Sequence, residues 1–487
     1  MIGRRVLVTG GTGVVGRPLV AALLAMGREV QVLSRTAPRN GDLLAHPGCT
    51  HLQGDVSQPR LGLAPETYRA LAQSVTAIFH LAARTDFKGA TLADYQPVNI
   101  DGVRHVYALA AEAGAHLHHV STAFVRGTYD GLFHEHDLDC GQGFRNCYEA
   151  SKFRGEQFLR EQGARQTAGD GPPVTVYRPG IVLERHPSQA AVNTFGPFIF
   201  LDGVFRVLLA AHRRQEHTDT LRVQGSATGS LPFIFDDDVA EAILRLADSP
   251  DSPGRTFHLL SAEPCPNRML EEVFNTAFGR RAACLVGAEA CTDPPPTTAE
   301  RILARKTAIY AAYMQEHLRF DRSGLDALLG RDWRPALSTD ELLTAFSLYL
   351  AGKKEEERAL VLSPPEVRRI DDYFDRFLPD FLGRQLLAGL VSLSCRFWLE
   401  IAPCSSRTLE IDRGRLVRIA PGHDGAFGYR VQPATFLAVV AGLLPPQRGF
   451  FQGDISLEGN TLEALRTATA LEEFFQAYPY TAAPQAA

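Results

Sequence analysis

Tyr148 and Lys152 stand four residues apart in NCYEASKFRGEQFL, a stretch with helical spacing, so both side chains project from one helix face. An ammonium beside a phenol favours the phenolate, which should lower a pKa otherwise about 10 and let the tyrosine exchange a proton near neutral pH. Upstream, Ser121 and Thr122 close the apolar stretch HLHHVST. A Thr122 hydroxyl beside Tyr148 would share one substrate oxygen with it and stabilise the negative charge that grows there during reduction of a carbonyl. Thr122, Tyr148 and Lys152 are therefore the candidate catalytic residues.

Such a trio needs a scaffold and a reductant, and the N-terminal stretch VLVTGGTGVVG supplies a motif for both. A short β-type run leads into Gly10, Gly13 and Gly16 and then into VVGRPLVAALLAMG, whose apolar spacing is helical, so the unit reads as strand, tight turn, helix. Gly10 permits the turn, Gly13 admits a pyrophosphate without a Cβ in the way, and Gly16 lets the helix pack on the strand. The helix N-terminus offers free N–H groups to phosphate. Thr12, Val14 and Val15 complete this cofactor-binding turn.

The second strand, EVQVLSR, ends in Ser34 and Arg35 where an NAD enzyme places an acid against the ribose hydroxyls, so a guanidinium pairing with a 2′-phosphate makes NADPH the expected cofactor. A third strand over Thr50–Gly54 precedes Asp55 and Val56, which would lie beside the adenine, Asp55 serving equally well as a turn former. A fourth strand over 75–83 ends in Ala82 and Ala83, small enough for backbone to lie against the cofactor. Asn99 begins a helix that returns to the fifth strand, and Lys152 can hold the nicotinamide ribose. His80, His118 and His119 read as strand-end or solvent-facing imidazoles. The strand–helix alternation predicts an α/β fold, a Rossmann-type doubly wound parallel sheet.

At 487 residues the chain exceeds one ordinary core, and 45% apolar content can build two. A net charge of −5 offers no broad basic face, so nucleic acid is not an expected partner. Eight cysteines without a CxxC pair or a nearby histidine at ligand spacing point to reduced thiols, a cytoplasmic location and no metal. The chain opens directly into its first strand with no signal-peptide pattern. The apolar run 386–401 is broken by Arg396 and Glu400, so no transmembrane span is expected.

Residues 1–350 resemble the extended short-chain dehydrogenases/reductases, and within them the thioester reductases related to fatty acyl-CoA reductases. The resemblance lies in TGGTGVVG, HLAARTDF, HVSTAFVRG, YEASKFRGEQFL, VTVYRPGIVL, NTFGPF and LPFIFDDDVAEAILRLA. Sugar-nucleotide epimerases share the first and fourth, but not the VSTAFV form. The subgroup often has an aromatic residue at the position of Val14 and Pro-Tyr where this chain has Cys147-Tyr148. The resemblance implies cofactor contacts at Gly10, Gly13, Gly16, Arg35, Asp55, Asn99, Tyr148, Lys152 and Pro179. It also implies a cofactor part mainly over 1–180 and a substrate part mainly over 181–350, with a strand at Leu231–Phe235. Asp236, Asp237 and Asp238 read as a helix N-terminal cluster.

A charged run followed by Pro-Pro reads as a linker over 351–365. Beyond it, residues 366–487 read as a small α+β unit. IDDYFDRFLPDFLGRQLLAGLVSLSCRFWLEI would give one or two helices, RTLEIDRGRLVRIA a hairpin at Arg413-Gly414, FFQGDISLEGN a strand pair, and TLEALRTATALEEFFQAY a helix. This unit resembles a sterol-carrier-protein-type domain, which implies a hydrophobic tunnel for an acyl chain, while its apolar residues serve equally well as a small core or a dimer face. The expected function is NADPH-dependent reduction of a lipid-like carbonyl, most concretely a fatty acyl thioester of coenzyme A or acyl carrier protein, to aldehyde or alcohol. The alternatives are a hydroxysteroid-type dehydrogenase, a sugar-nucleotide epimerase, and a nonenzymatic NADP(H)- and lipid-binding protein. Homodimerisation is left open.

Overall fold

The computed structural model describes residues 2–36, 46–87, 89–165, 171–187, 196–213, 220–315, 318–330, 333, 335–354, 357–358, 361, 365–386, 393–401 and 405–481. The chain divides into two compact units, one of residues 1–274 with 283–353 and the other of 275–282 with 354–487. Residues 355–356, 359–360 and 362–364 of the expected linker, and NTF of the NTFGPF motif, lie outside the described residues.

In the first unit, strands β1 (Arg5–Thr9), β2 (Glu29–Ser34), β3 (Cys49–Gln53), β4 (Ala77–His80), β5 (His116–Val120), β6 (Val174–Pro179) and, after four shorter strands, β11 (Thr256–Leu259) form one sheet. Every pairing in it is parallel, and the order is β11-β6-β5-β4-β1-β2-β3. The chain reverses its direction of travel between β1 and β4, which opens a crevice at their C-terminal ends, the usual ligand position in such sheets.

Both sheet faces are covered, and strand alternation divides the core accordingly. Val6 and Val8 pack with Leu19, Val20 and Leu23 of α1 (Gly16–Ala25) and with Val239, Ile243 and Leu246 of the helix Asp236–Asp248. Leu7, Ile78 and Leu117 point the other way, toward Tyr68 and Leu71 of α2 (Pro65–Ala72), Val103, Val106 and Leu109 of α3 (Gly102–Ala113), and Leu159 of α4 (Cys147–Arg165).

The shorter strands are β7 (Ile181–Leu183), β8 (Leu221–Gln224), β9 (Ser230–Leu231) and β10 (Phe233–Phe235); β12 (Cys265–Pro266) and β13 (Ala283–Val286) follow β11. The helices among and after them are α5 (Pro197–Arg213), α6 (Asp236–Asp248), α7 (Asn267–Phe278), α8 (Ala288–Thr292), α9 (Thr298–Ala311), α10 (Ser323–Leu329) and α11 (Thr339–Ala351).

Three expectations are corrected in this unit. The fourth strand is shorter than 75–83. The segment Leu231–Phe235 is broken at Pro232, which lacks an N–H, into β9 and β10 belonging to different two-stranded sheets. Asn99 lies in a wide turn, Gln96–Asp101, rather than in a regular helix start. The Asp236–Asp238 cluster does open a helix, α6, where acids are favoured by the N-terminal dipole.

The second unit is α+β. Strands β14 (Cys395–Ile401), β15 (Ser405–Asp412), β16 (Arg415–Pro421), β17 (Phe427–Val431) and β18 (Ile455–Gly459) form a sheet in the order β16-β15-β14-β17-β18, parallel only between β14 and β17. Phe397, Phe427 and Tyr429 face a core shared with Tyr373, Phe374 and Phe436, while Arg396, Glu400 and Arg430 lie on the opposite face. Arg413 and Gly414, with φ of 48° and 74°, make the two-residue hairpin turn. CRFWLEI is a central strand and not helix, because β15 and β17 pair with it on both sides. FFQ ends a short helix, Pro446–Gln452, so only ISLEG of that segment is strand. Among the described residues no helix is long and apolar enough to cross a membrane.

Candidate active site

The turn after β1 shows why three glycines recur. Gly10 has φ of 73°, and a Cβ there would lie 2.6 Å from the Ala82 nitrogen. A Cβ on Gly16 would run into the Gly10 carbonyl and Gly11, whereas one on Gly13 would meet only Gly10 O, at 3.3 Å. Gly13 is thus the glycine open to a ligand. Val15, which precedes α1, gives it no side-chain cap, and the first turn holds no acid, so the helix end is free to receive an anion. These features fit the pyrophosphate of a dinucleotide.

A cleft of about 950 Å³ extends from this turn. Gly10, Thr12, Gly13, Val14, Val15, Gly16, Arg35, Asp55, Val56, Ala82, Ala83 and Pro179 line it, as do Thr122, Tyr148 and Lys152. Arg35 is exposed at the end of β2, and the neighbouring Ser34 hydroxyl donates to Thr36 O at 2.8 Å. Asp55 accepts from the Ser57 N–H at 2.9 Å and hydroxyl at 2.8 Å, so it forms a turn and borders the cleft at once.

Asn99 is the exception among the expected site residues. It is buried, its Nδ2 donates to Arg84 O and Ser151 Oγ, and its Oδ1 accepts from Arg84 N. With its amide engaged in this way it ties the loop after β4 to α4 and does not line the cleft.

The reactive end is built by β5 and α4. Thr122 follows β5, and its Oγ1 accepts from Phe124 N at 3.3 Å. Tyr148 sits in the first turn of α4 and lines the cleft with Thr122, and Lys152 lies one turn on with Nζ donating to Val120 O at 2.8 Å. The start of α4 is pinned, since Asn146 Oδ1 accepts from Glu149 N at 3.0 Å and Glu149 Oε2 accepts from Arg145 N at 2.9 Å.

The electrostatics correct one expectation. The Tyr148 phenol is pushed up to about 12 by burial, against a smaller lowering from Thr122, and any lowering from Lys152 is outweighed. Lys152 itself is held down to about 8 by burial, with Glu156 opposing. In this state the phenol keeps its proton and can donate it, and the lysine is poised to lose one. Of the histidines read as strand-end or solvent-facing, His80 does end β4, but His80, His118 and His119 are all buried rather than solvent-facing, and burial lowers all three.

Sequence reasoning missed the aromatic walls. Phe87 meets Tyr148 edge-on at 5.5 Å and Tyr310 at 5.6 Å, and Phe124 meets Tyr313 at 5.0 Å. The Tyr313 hydroxyl accepts from Asn146 Nδ2 at 2.8 Å and donates to Glu149, a fully buried acid whose pKa burial raises. The signal was the tyrosine pair in AIYAAYM, three residues apart, but nothing local ties it to a helix start more than a hundred residues earlier.

The fold and the cleft define the class: a Rossmann-type parallel sheet with a glycine turn and a cleft at the C-terminal ends of its strands, the fold of short-chain dehydrogenase/reductase structures. Residues 8–223 match the family described as Male sterility protein. The terminal R domain from the myxalamid PKS-NRPS biosynthetic pathway superposes with a TM-score of 0.57 at 22% identity, covering 72% of this chain and 90% of that one.

Among curated relatives, the chain is 29% identical over 273 residues to Trichosetin synthetase PKS-NRPS1 of Gibberella fujikuroi, covering 55% of this chain and 6% of that protein. It is 25% identical over 251 residues to Fatty acyl-CoA reductase wat of Drosophila melanogaster, covering 41% and 47%. It is 31% identical over 170 residues to the 3-beta-hydroxysteroid dehydrogenase of Mycolicibacterium neoaurum, covering 33% and 44%. The chain thus spans less than half the length of each of these three relatives.

Proposed function

We propose that the protein is an NADPH-dependent reductase of a fatty acyl thioester, carried on coenzyme A or acyl carrier protein, giving the aldehyde or the alcohol. The observation that carries this reading is the Tyr148 phenol, which keeps its proton, sharing with Thr122 the wall of a cleft that begins at a glycine turn suited to phosphate. The likeness to a Fatty acyl-CoA reductase and to a PKS-NRPS R domain supports the thioester class.

When bound, the nicotinamide supplies hydride to the substrate carbonyl. Tyr148 and Thr122 donate to the carbonyl oxygen and stabilise the charge that develops there. Collapse of the resulting hemithioacetal expels the thiol, and Lys152 resupplies a proton toward Tyr148 as its own proton becomes labile near pH 8. Arg35 at the end of β2 receives the 2′-phosphate.

In residues 366–487, the resemblance to lipid carriers supports a lipid-facing role for the second unit. The deciding assay offers acyl thioesters, sterols and nucleotide sugars in parallel, each with NADPH and NADH. Oxidation with thioesters and preference for NADPH is the expected outcome. Turnover of sterols alone would replace the thioester reading with the hydroxysteroid one, and equal use of both cofactors would remove the role of Arg35.

A further inference from the structure

Beside the cleft lies a second cavity of about 60 Å³, bounded by Phe200 and Val204 of α5, Phe233 of β10, Leu270 of α7, Leu285 of β13 and Met314. Four residues belong to both cavities: Ile181, Gly196, Tyr310 and Tyr313. The two tyrosines form the doorway between them, and Tyr310 stands against Phe87, which also meets Tyr148.

We infer that this cavity holds the hydrocarbon tail of the substrate, so that preference for one apolar chain is set inside the first unit. The inference rests on the reductase reading above.

Polarity carries the argument. At the doorway the Tyr310 hydroxyl accepts from Gly196 N at 3.3 Å, and the Tyr313 hydroxyl is engaged by Asn146 and Glu149. The acid on the wall, Glu271, accepts from Leu285 N at 2.8 Å. Each of these polar groups thus already has a partner in the protein, and the surfaces turned to the cavity are rings and aliphatic chains. A sugar placed there would surrender its water hydrogen bonds to a wall already satisfied, whereas each methylene buried would tighten binding roughly fourfold.

Size carries the rest. On a scale where one water needs about 10–15 Å³, the cavity has room for only a few such spheres, a volume that suits a slender apolar chain better than a bulky ring system.

The test uses the full chain and its Val204→Phe and Val204→Ala variants, with butyryl, octanoyl and dodecanoyl N-acetylcysteamine thioesters and with dansylundecanoic acid as a fluorescent probe that is not reduced. Val204→Phe should lower kcat/KM increasingly with chain length, reaching roughly tenfold for dodecanoyl, and should weaken the probe by a similar factor. Val204→Ala, which enlarges the cavity and guards against misfolding of the larger variant, should move the preference toward the longer chain. Parallel losses at all chain lengths, or a probe affinity that neither variant changes, would overturn the inference. If the unmodified enzyme reduces no thioester, the reductase reading fails separately, and the probe alone decides: weakening by Val204→Phe sustains the chain-binding cavity, and unchanged affinity removes it.

Discussion

The two units bury different kinds of residue. The first takes Lys152, Arg178, Glu135, Glu149 and Glu156 out of water together with several histidines, whereas the polar residues buried in the second, among those described, are Ser405, Thr408, Thr435 and Thr467. On its open sheet face Arg430 pairs with Glu400 and Glu458, and Arg396 with Glu410 and Asp424. Burying a charge is costly unless it is paired. A core that accepts that cost at Lys152 beside an open cleft is arranged for proton chemistry, while one built on Tyr373, Phe374, Phe397 and Phe436 is arranged for packing.

That contrast can be broken most forcefully at Arg178, which is fully buried with its Nη2 2.7 Å from Glu156 Oε2. Glu156→Ala should leave a buried guanidinium without its acid and cost the first unit about 3–5 kcal/mol. The two tryptophans, Trp333 and Trp398, lie one in each unit, so fluorescence of single-tryptophan variants in urea should show the loss at Trp333 and not at Trp398.

Next comes the lysine. Its folded pKa of about 8 lies below the unfolded value of about 10.4, so the unfolded chain binds the extra proton between them and stability should rise with pH across that window. Below pH 8 the penalty is fully present. Lys152→Met should therefore flatten the rise and stabilise the first unit at pH 7 by up to about 3 kcal/mol, measured as urea midpoints against pH. An unchanged slope would mean that Lys152 is not buried as a strained cation.

Tyr148→Phe keeps the ring against Phe87 but removes the proton. Turnover should fall by roughly 10²-fold or more while cofactor still binds, checked by steady-state rates and fluorescence titration of NADPH. Intact turnover would take Tyr148 out of the mechanism. The smallest effect belongs to the second unit: Arg430→Ala breaks two exposed ion pairs and should cost less than about 1 kcal/mol, read from Trp398. A loss as large as that at Glu156 would erase the distinction between the units.

Local signals carried much of this protein. The glycines at 10, 13 and 16 specify their turn because backbone geometry and close approach are set within a few residues, and the Tyr148–Lys152 spacing needs only one helix. The hairpin at Arg413-Gly414 was equally legible, since positive φ at both positions is a local demand. CRFWLEI was not, because a short apolar run suits helix and strand alike until neighbouring strands pair with it.

At the active site, residue type and spacing determined which groups could do chemistry and where phosphate would sit. Only the tertiary structure decided the state of those groups: burial, which sums over every neighbouring element, raised the Tyr148 phenol where adjacency to Lys152 alone predicted a fall. It also engaged the Asn99 amide with Arg84 and Ser151 and brought Tyr310 and Tyr313 from a distant helix to the mouth of an apolar cavity. Such effects depend on distances through space between residues far apart in the chain, and spacing along the chain carries no information about them.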